Sequence, residues 1–398
     1  MNVSRQSPGE CLSTADMLAR LIGFDTTSAN SNLALIDAVA DYLDGHGISS
    51  RLIRNEAGDK ANLFATIGPA RDGGLVLSGH TDVVPVTGQD WSTDPFEAVS
   101  KDARIYGRGS CDMKGFIAAC LALVPNMIAA QLKTPIHFAF SYDEEVGCAG
   151  IPGLLAEIAN SLPQPAMAII GEPTSMQLIN SHKGIYVFET VLTGLEAHSS
   201  ATHLGVSAIL HGAEFIAFLA SLAEEMRQQG PFREAFEPPY TTFNIGQING
   251  GTAVNIIARE CRIIWEFRPI PGLDHEGLKT RITAFAEDEL RPRMRARFPA
   301  AEVRTTELAG APPLVPQEDS PAEALVRRLT GANRAGGISF ATEAGQFAEK
   351  DMSAVVIGPG SIDQAHKPDE YVDLSQLAAC EEFLKKLIVW AGETTPGD

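Results

Sequence analysis

Residues 74–82 read GLVLSGHTD, an apolar run with no polar alternation, closed by a histidine and an aspartate. A strand that is apolar on both sides is covered on both faces, as in a parallel or mixed sheet flanked by helices. LFATI at 63–67, IHFAFS at 136–141, AMAIIG at 166–171 and SAVVIG at 353–358 have the same character. Helical spacing fills the intervals. Met17, Leu18, Leu21 and Ile22 share one face after the cap candidates Ser13 and Thr14, and Leu35, Ile36, Val39, Ala40 and Leu43 form a second stripe. Further helices are predicted over 115–130 and 374–390. The sum is an α/β fold built on a mixed sheet.

The middle of the chain changes period. IYVFETVLTG at 185–194 alternates every second residue, which predicts a sheet with one solvated or interface face. A helical stretch from about 206 to 229 follows, then FNIGQINGG, CRIIWEFRPIPG, a helical run over 276–297 and AEVRTTEL. That order, β-α-β-β-α-β, predicts a ferredoxin-like sandwich. The expected organisation is a discontinuous α/β catalytic domain (1–182 and 311–398) carrying an inserted domain at 183–310, with GAPPLVPQ at 310–317 as the return linker.

Composition narrows the partners. A chain of 398 residues suits two domains. Fifty acidic against 31 basic side chains give a net charge of −19, which argues against nucleic acid and anionic membrane as main partners. The one basic run, Arg291, Arg293, Arg295 and Arg297, reads as a solvated helix face. No apolar stretch approaches the roughly 18–20 residues of a membrane span, and MNVSRQSPGECLSTADMLARL at the start lacks the apolar core of a signal peptide. Six scattered cysteines without a C-x-x-C pair fit reduced thiols. The expectation is a cytoplasmic protein.

The apolar runs lead into metal-type ligands. His80-Thr81-Asp82 follows GLVLSG, Asp112 follows YGRGSC, Asp143-Glu144-Glu145 follows IHFAFSY, Glu172 follows AMAIIG, and His366 follows VVIGPGSIDQA. The first four points lie at roughly thirty-residue intervals, about one βα step each, and the last is delayed by the inserted domain. Ligands of open α/β sheets gather at the carboxyl ends of strands, so these points should meet on one rim. Two histidines and three carboxylates suit a pair of divalent metals, zinc by preference, with cobalt or manganese as substitutes. One metal would take His80 and Glu172 and the other Glu145 and His366. Asp112 would lie between them, able to bridge ions about 3.5–4 Å apart that share a hydroxide. Asp82 is placed to accept the other imidazole N–H of His80. Glu144, whose neighbour is a ligand, is left to act as general base. His137, inside an apolar run, reads as a core histidine.

The motifs SGHTDVVPV, YGRGSCDMKG, SYDEEVGCAG, GEPTS and QAHKPDEYV resemble those of the M20 metallopeptidase and deacylase family, from about residue 74 to 372. The resemblance implies His80, Asp112, Glu145, Glu172 and His366 as metal ligands, Glu144 as acid/base, and a cis peptide after Asp112. It also implies that the inserted domain is a lid through which the chain forms a homodimer. His198, in LEAHSSATHLG, is similar to the family's lid histidine, which reaches a partner's active site and steadies the oxyanion; capping the next helix is the plainer reading. Arg268 in WEFRPIPG resembles the arginine that holds a substrate carboxylate, with Asn255 as its companion, and an ordinary salt bridge is the alternative.

FNIGQINGGTAVNIIA, EFRPIPG, ATEAGQF and GPGSIDQAHKPDEY resemble the branch that releases ornithine and acetate from N2-acetyl-L-ornithine. Glu343 in ATEAGQF is read as a partner for a substrate ammonium, or else as a structural acid. Other N-acyl amino acid deacylases, desuccinylases and di- or tripeptidases share the same metal core. A catalytically silent homologue would have lost Glu144 or a ligand, and none is missing.

Overall fold

The computed structural model of the protein describes residues 11–394. The first ten residues, part of the polar N-terminus read above, lie outside them. Two compact units divide the chain. One takes residues up to Ser181, Pro316–Gly337 and residues from Thr342 onward, and the other takes His182–Val315 and Ile338–Ala341.

The first unit is built on an eight-stranded sheet. In spatial order its strands are Ser50–Arg54, Ala61–Ile67, Ile136–Ser141, Leu75–His80, Met167–Ile170, Ser353–Val356, Ile179–His182 and Gly336–Ile338. The four from Ile136–Ser141 to Ser353–Val356 run parallel to one another, while Ala61–Ile67 runs antiparallel to both its neighbours, Ile136–Ser141 and Ser50–Arg54. All four parallel strands are buried along their whole length, which is why their sequences do not alternate. Helices Thr14–Ile22, Lys114–Ala122 and Leu374–Glu393 contribute Leu18, Ile117, Leu384 and Leu387 to the core over this sheet. Ser13 caps the first of them, its hydroxyl accepting the Asp16 N–H at 3.1 Å, an interaction that contributes about 1 kcal/mol. The helix expected over 115–130 is two pieces, Lys114–Ala122 and Val124–Ala129. Pro125 has no N–H for a continuous ladder and opens the second piece.

Close backbone passage at the carboxyl edge requires glycine. A Cβ on Gly171 would lie 2.0 Å from the Phe116 ring, and one on Gly358 would lie 2.0 Å from the Gly171 carbonyl oxygen. These two glycines let the strands that carry Glu172 and His366 leave the sheet side by side.

The second unit is an antiparallel four-stranded sheet in the order Thr242–Gly250, Glu260–Arg268, Ile185–Thr193, Glu302–Ala311. Counted along the chain this is 2-3-1-4, the arrangement of a ferredoxin-like sandwich. Residues 185–193 alternate between half-buried and buried without a break, as their sequence demanded. Helix Ala208–Gln229 and the helical run from His275 to Arg295 cover the apolar face, where Phe188 stacks on Trp265 at 4.5 Å. The run turns π-helical over Phe285–Leu290. Arg293, Arg295 and Arg297 of the basic run are exposed and Arg291 is half-buried; Arg291, Arg293 and Arg295 pair with Glu287, Glu214 and Glu302. Among the described residues no helix is long and apolar enough to cross a membrane.

Candidate metal centre

The carboxyl ends of the four parallel strands bring the ligand candidates together. His80 is the last residue of its strand, Glu144 and Glu145 follow Ser141, Glu172 follows Ile170, and His366 lies ten residues past Val356. Asp112 arrives differently. The stretch before it is no strand of the main sheet; Asp112 sits in the turn between Arg104–Tyr106, in a separate three-stranded sheet, and helix Lys114–Ala122. The Asp112–Met113 peptide is cis.

Two groups result, His80–Asp112–Glu172 and Asp112–Glu145–His366, with the ligand atoms of each within 4.8 Å of one another. They share Asp112, whose Oδ1 lies 3.0 Å from His80 Nε2 and whose Oδ2 lies 3.4 Å from His366 Nε2. Glu172 Oε1 is 3.9 Å from His80 Nε2, and Glu145 Oε2 is 3.0 Å from His366 Nε2.

Charge crowding characterises the site. Burial pushes the Glu145 carboxyl up to about 7, with the Asp112 charge adding to it. Burial and Asp112 likewise hold Glu172 well above the usual carboxylate range. Asp112 stays low because His366 and His80 outweigh its burial. Packed carboxylates that repel one another, interleaved with two imidazoles, are the donor set a divalent cation neutralises. The residues fit one cation in each group, with Asp112 serving both.

Glu144 stands beside these ligands. Burial, followed by the charges of Glu145, Asp112 and Glu343, pushes its carboxyl up to about 8 against the opposing pull of His80. A carboxyl near neutrality can take and return a proton. The Cys148 thiol donates to its Oε1 at 3.2 Å, a contact with no signal in local spacing.

Asp82 departs from its expected contact. The nearest partner of His80 Nδ1 is the Asp82 main-chain carbonyl at 2.9 Å, and the carboxylate Oδ1 stands off at 3.6 Å. The carboxylate instead accepts the Ser28 hydroxyl at 2.7 Å and the backbone N–H groups of Glu144 at 3.1 Å and Glu145 at 3.2 Å. It holds the loop that carries Glu144 and Glu145.

Glu343 lies inside the first unit. Its side chain is enclosed at 1% exposure, and Oε2 accepts the Ser78 hydroxyl at 3.2 Å. Burial pushes it up to about 7, with Ser141, His80 and Ser78 opposing. Its enclosure and its bond to Ser78 suit a structural acid, the second of the two readings offered for it.

His198, Asn255 and Arg268 belong to the other unit. His198 is exposed, its Nδ1 2.8 Å from the Ser200 hydroxyl, and the Ser199 N–H donates to the Asn255 carbonyl at 3.0 Å, so these two candidates are neighbours. Arg268 closes strand Glu260–Arg268 and donates from Nε to Glu266 Oε1 at 3.0 Å.

An α/β unit with crowded metal-type ligands at the carboxyl ends of its parallel strands, interrupted by a ferredoxin-like unit, defines a class of hydrolases. Peptidase family M20/M25/M40 matches residues 76–389, and the chain belongs to that family. It is 36% identical over 371 residues to the acetylornithine deacetylase of Proteus mirabilis (strain HI4320), spanning 92% of this chain and 91% of that one. It is 35% identical over 376 residues to the acetylornithine deacetylase of Myxococcus xanthus, spanning 93% and 95%. Among solved structures, an M20 family metallo-carboxypeptidase from Sulfolobus solfataricus superposes with a TM-score of 0.72 at 18% identity, over 96% of this chain and all of that one. A tripeptidase from Staphylococcus aureus gives 0.71 at 19% identity, over 97% and 100%. At such identities the likeness shows the fold.

Proposed function

We propose that this hydrolase removes the acetyl group from N2-acetyl-L-ornithine, releasing L-ornithine and acetate, a step that supplies arginine synthesis. The observation that carries the chemistry is the pair of ligand groups sharing Asp112 with Glu144 beside them. The substrate rests on the two acetylornithine deacetylases matched along nearly the whole chain.

His80, Asp112 and Glu172 would hold one ion, and Asp112, Glu145 and His366 the other. Zinc suits these donors, and cobalt can replace it. When bound, such a pair polarises a carbonyl oxygen and lowers the pKa of a water. Glu144 takes the proton of the attacking water at its carboxylate. As the C–N bond breaks it gives that proton to the departing α-amine, so the acyl carbon gains the oxygen and the amine gains the hydrogen. Asp82 keeps Glu144 and Glu145 in place through their backbone N–H groups. In this reading Arg268 and Asn255 receive the substrate's α-carboxylate and His198 steadies the oxyanion. In the same reading the chain pairs with a second copy through the inserted unit, where the exposed Leu204, Leu210, Val254 and Ile256 offer apolar surface. Buried thiols at Cys111, Cys120, Cys148, Cys261 and Cys380 suit a cytoplasmic setting.

The test is amine release by metal-loaded protein from Nα-acetylornithine, Nα-acetylcitrulline, N-acetylmethionine, N-succinyl-diaminopimelate and a Leu-Gly dipeptide, each with and without chelator. Chelator-sensitive turnover that favours acetylornithine tenfold or more supports the reading. Turnover led by another substrate overturns the substrate assignment.

A further inference from the structure

Glu370 is the least conspicuous residue of the KPDEY segment and makes the most contacts. Its Oε2 accepts the Arg108 guanidinium at 2.8 Å and the Gly109 N–H at 3.0 Å. Its Oε1 accepts the Cys111 N–H at 2.9 Å and the Asp112 N–H at 3.0 Å. Both members of the ion pair are 1% exposed. One buried carboxylate thus gathers three backbone donors, those of Gly109, Cys111 and Asp112, from the turn that presents Asp112, and the geometry of that turn follows from it.

The other end of the network reaches His366. Arg108 donates from Nη2 to Gln89 Oε1, and Gln89 Nε2 donates to the His366 carbonyl at 2.8 Å. Arg108 Nη1 also lies 3.3 Å from the Lys367 carbonyl, and the guanidinium sits 5.0 Å over the Trp91 ring. His366 needs such support. It holds a left-handed φ of +63°, uncommon for a residue with a Cβ, and its side chain is 53% exposed. Neither packing nor strand geometry would otherwise keep its imidazole on Asp112 and Glu145.

The two ligand groups depend on this network unequally. Two members of Asp112–Glu145–His366 hang from it, but only one of His80–Asp112–Glu172, whose His80 and Glu172 issue directly from buried strands. We propose that the Arg108–Glu370 pair with Gln89 is a positioning unit that sets the metal affinity of the Asp112–Glu145–His366 group ahead of the other. This rests on the reading of the two groups as metal sites. Partners behind metal ligands typically contribute 10–100-fold in affinity.

The experiment titrates Co2+ into chelator-stripped full-length wild-type protein, Glu370→Gln and Gln89→Ala, following visible absorption and bound metal after dialysis. Gln89 lies at the half-buried end of the network, so its variant keeps the test valid if Glu370→Gln folds poorly. The expected result is two equivalents for wild type, with the first retained and the second weakened about 10–100-fold in the variants. Metal-free Gln89→Ala should keep its thermal midpoint. Wild-type affinity for both equivalents in the variants, or equal weakening of both, would overturn the inference. A wild type that takes up no cobalt would instead overturn the metal reading beneath it.

Discussion

The carboxylate of Asp82 accepts the backbone N–H of Glu144 at 3.1 Å, while its own main-chain carbonyl serves His80. The Asp82 carboxylate therefore positions Glu144 more than the imidazole. Asp82→Ala would leave the Glu144 and Glu145 N–H groups and the Ser28 hydroxyl without their acceptor, at about 1–3 kcal/mol for each that stays buried. We expect kcat to fall at least tenfold while the first equivalent of metal still binds. Steady-state kinetics beside metal analysis checks this, and kcat within twofold of wild type would refute it.

Metal should stabilise the catalytic unit by relieving the repulsion among Asp112, Glu145 and Glu172. Free metal at a hundred times its Kd adds about 2.7 kcal/mol to a single site. Differential scanning calorimetry should show a thermal midpoint that falls on chelation and returns with zinc or cobalt. A midpoint indifferent to both would speak against the ligand groups.

Acid should weaken the fold through two enclosed histidines. His137 and His182 are 0% exposed, and burial pushes each down to about 4. In the unfolded chain each takes a proton below about 6.5. Stability is therefore complete above about 6.5 and is lost as pH falls toward 4, because the unfolded state binds protons first. His137→Gln removes one such group, and Gln can still reach Thr66 and the Gly73 carbonyl, which His137 meets at 2.9 and 3.1 Å. Between pH 7 and 5, urea unfolding of this variant should lose about 2 kcal/mol less than wild type. Identical losses would contradict the assignment.

Close passage at Gly171 gives a steric prediction. A Cβ there meets the Phe116 ring at 2.0 Å, and neither the ring nor the strand it crosses has room to retreat in a filled core. Gly171→Ala should lower stability by about 1–3 kcal/mol and reduce metal uptake at Glu172. Denaturant unfolding and metal analysis of the variant would check both.

Much of the architecture was legible because burial writes itself into local pattern. The unbroken apolar runs at 75–80 and 136–141 marked strands covered on both faces, and the strict alternation at 185–193 marked the sheet of the inserted unit. The convergence of His80, Glu145 and Glu172 followed from strand ends, whereas His366 lies ten residues past Val356. Long-range side-chain contacts left no such trace. Arg108 and Glu370 lie 262 residues apart, and Ser28 meets Asp82 across 54, so no spacing rule announces them. Glu343 stayed open between binding group and structural acid, because a charged letter in a motif says nothing of its enclosure. Pro125 was a local signal of the helix break that the apolar spacing around it masked.

The proposed chemistry turns on Glu144, and one paired measurement tests that directly. Metal content and turnover of Nα-acetylornithine should be measured together for wild type and Glu144→Ala. The account predicts equal metal content and a fall in kcat of about 10²–10⁴-fold, the usual contribution of a positioned acid/base. A variant with full metal that kept most of its activity would contradict it.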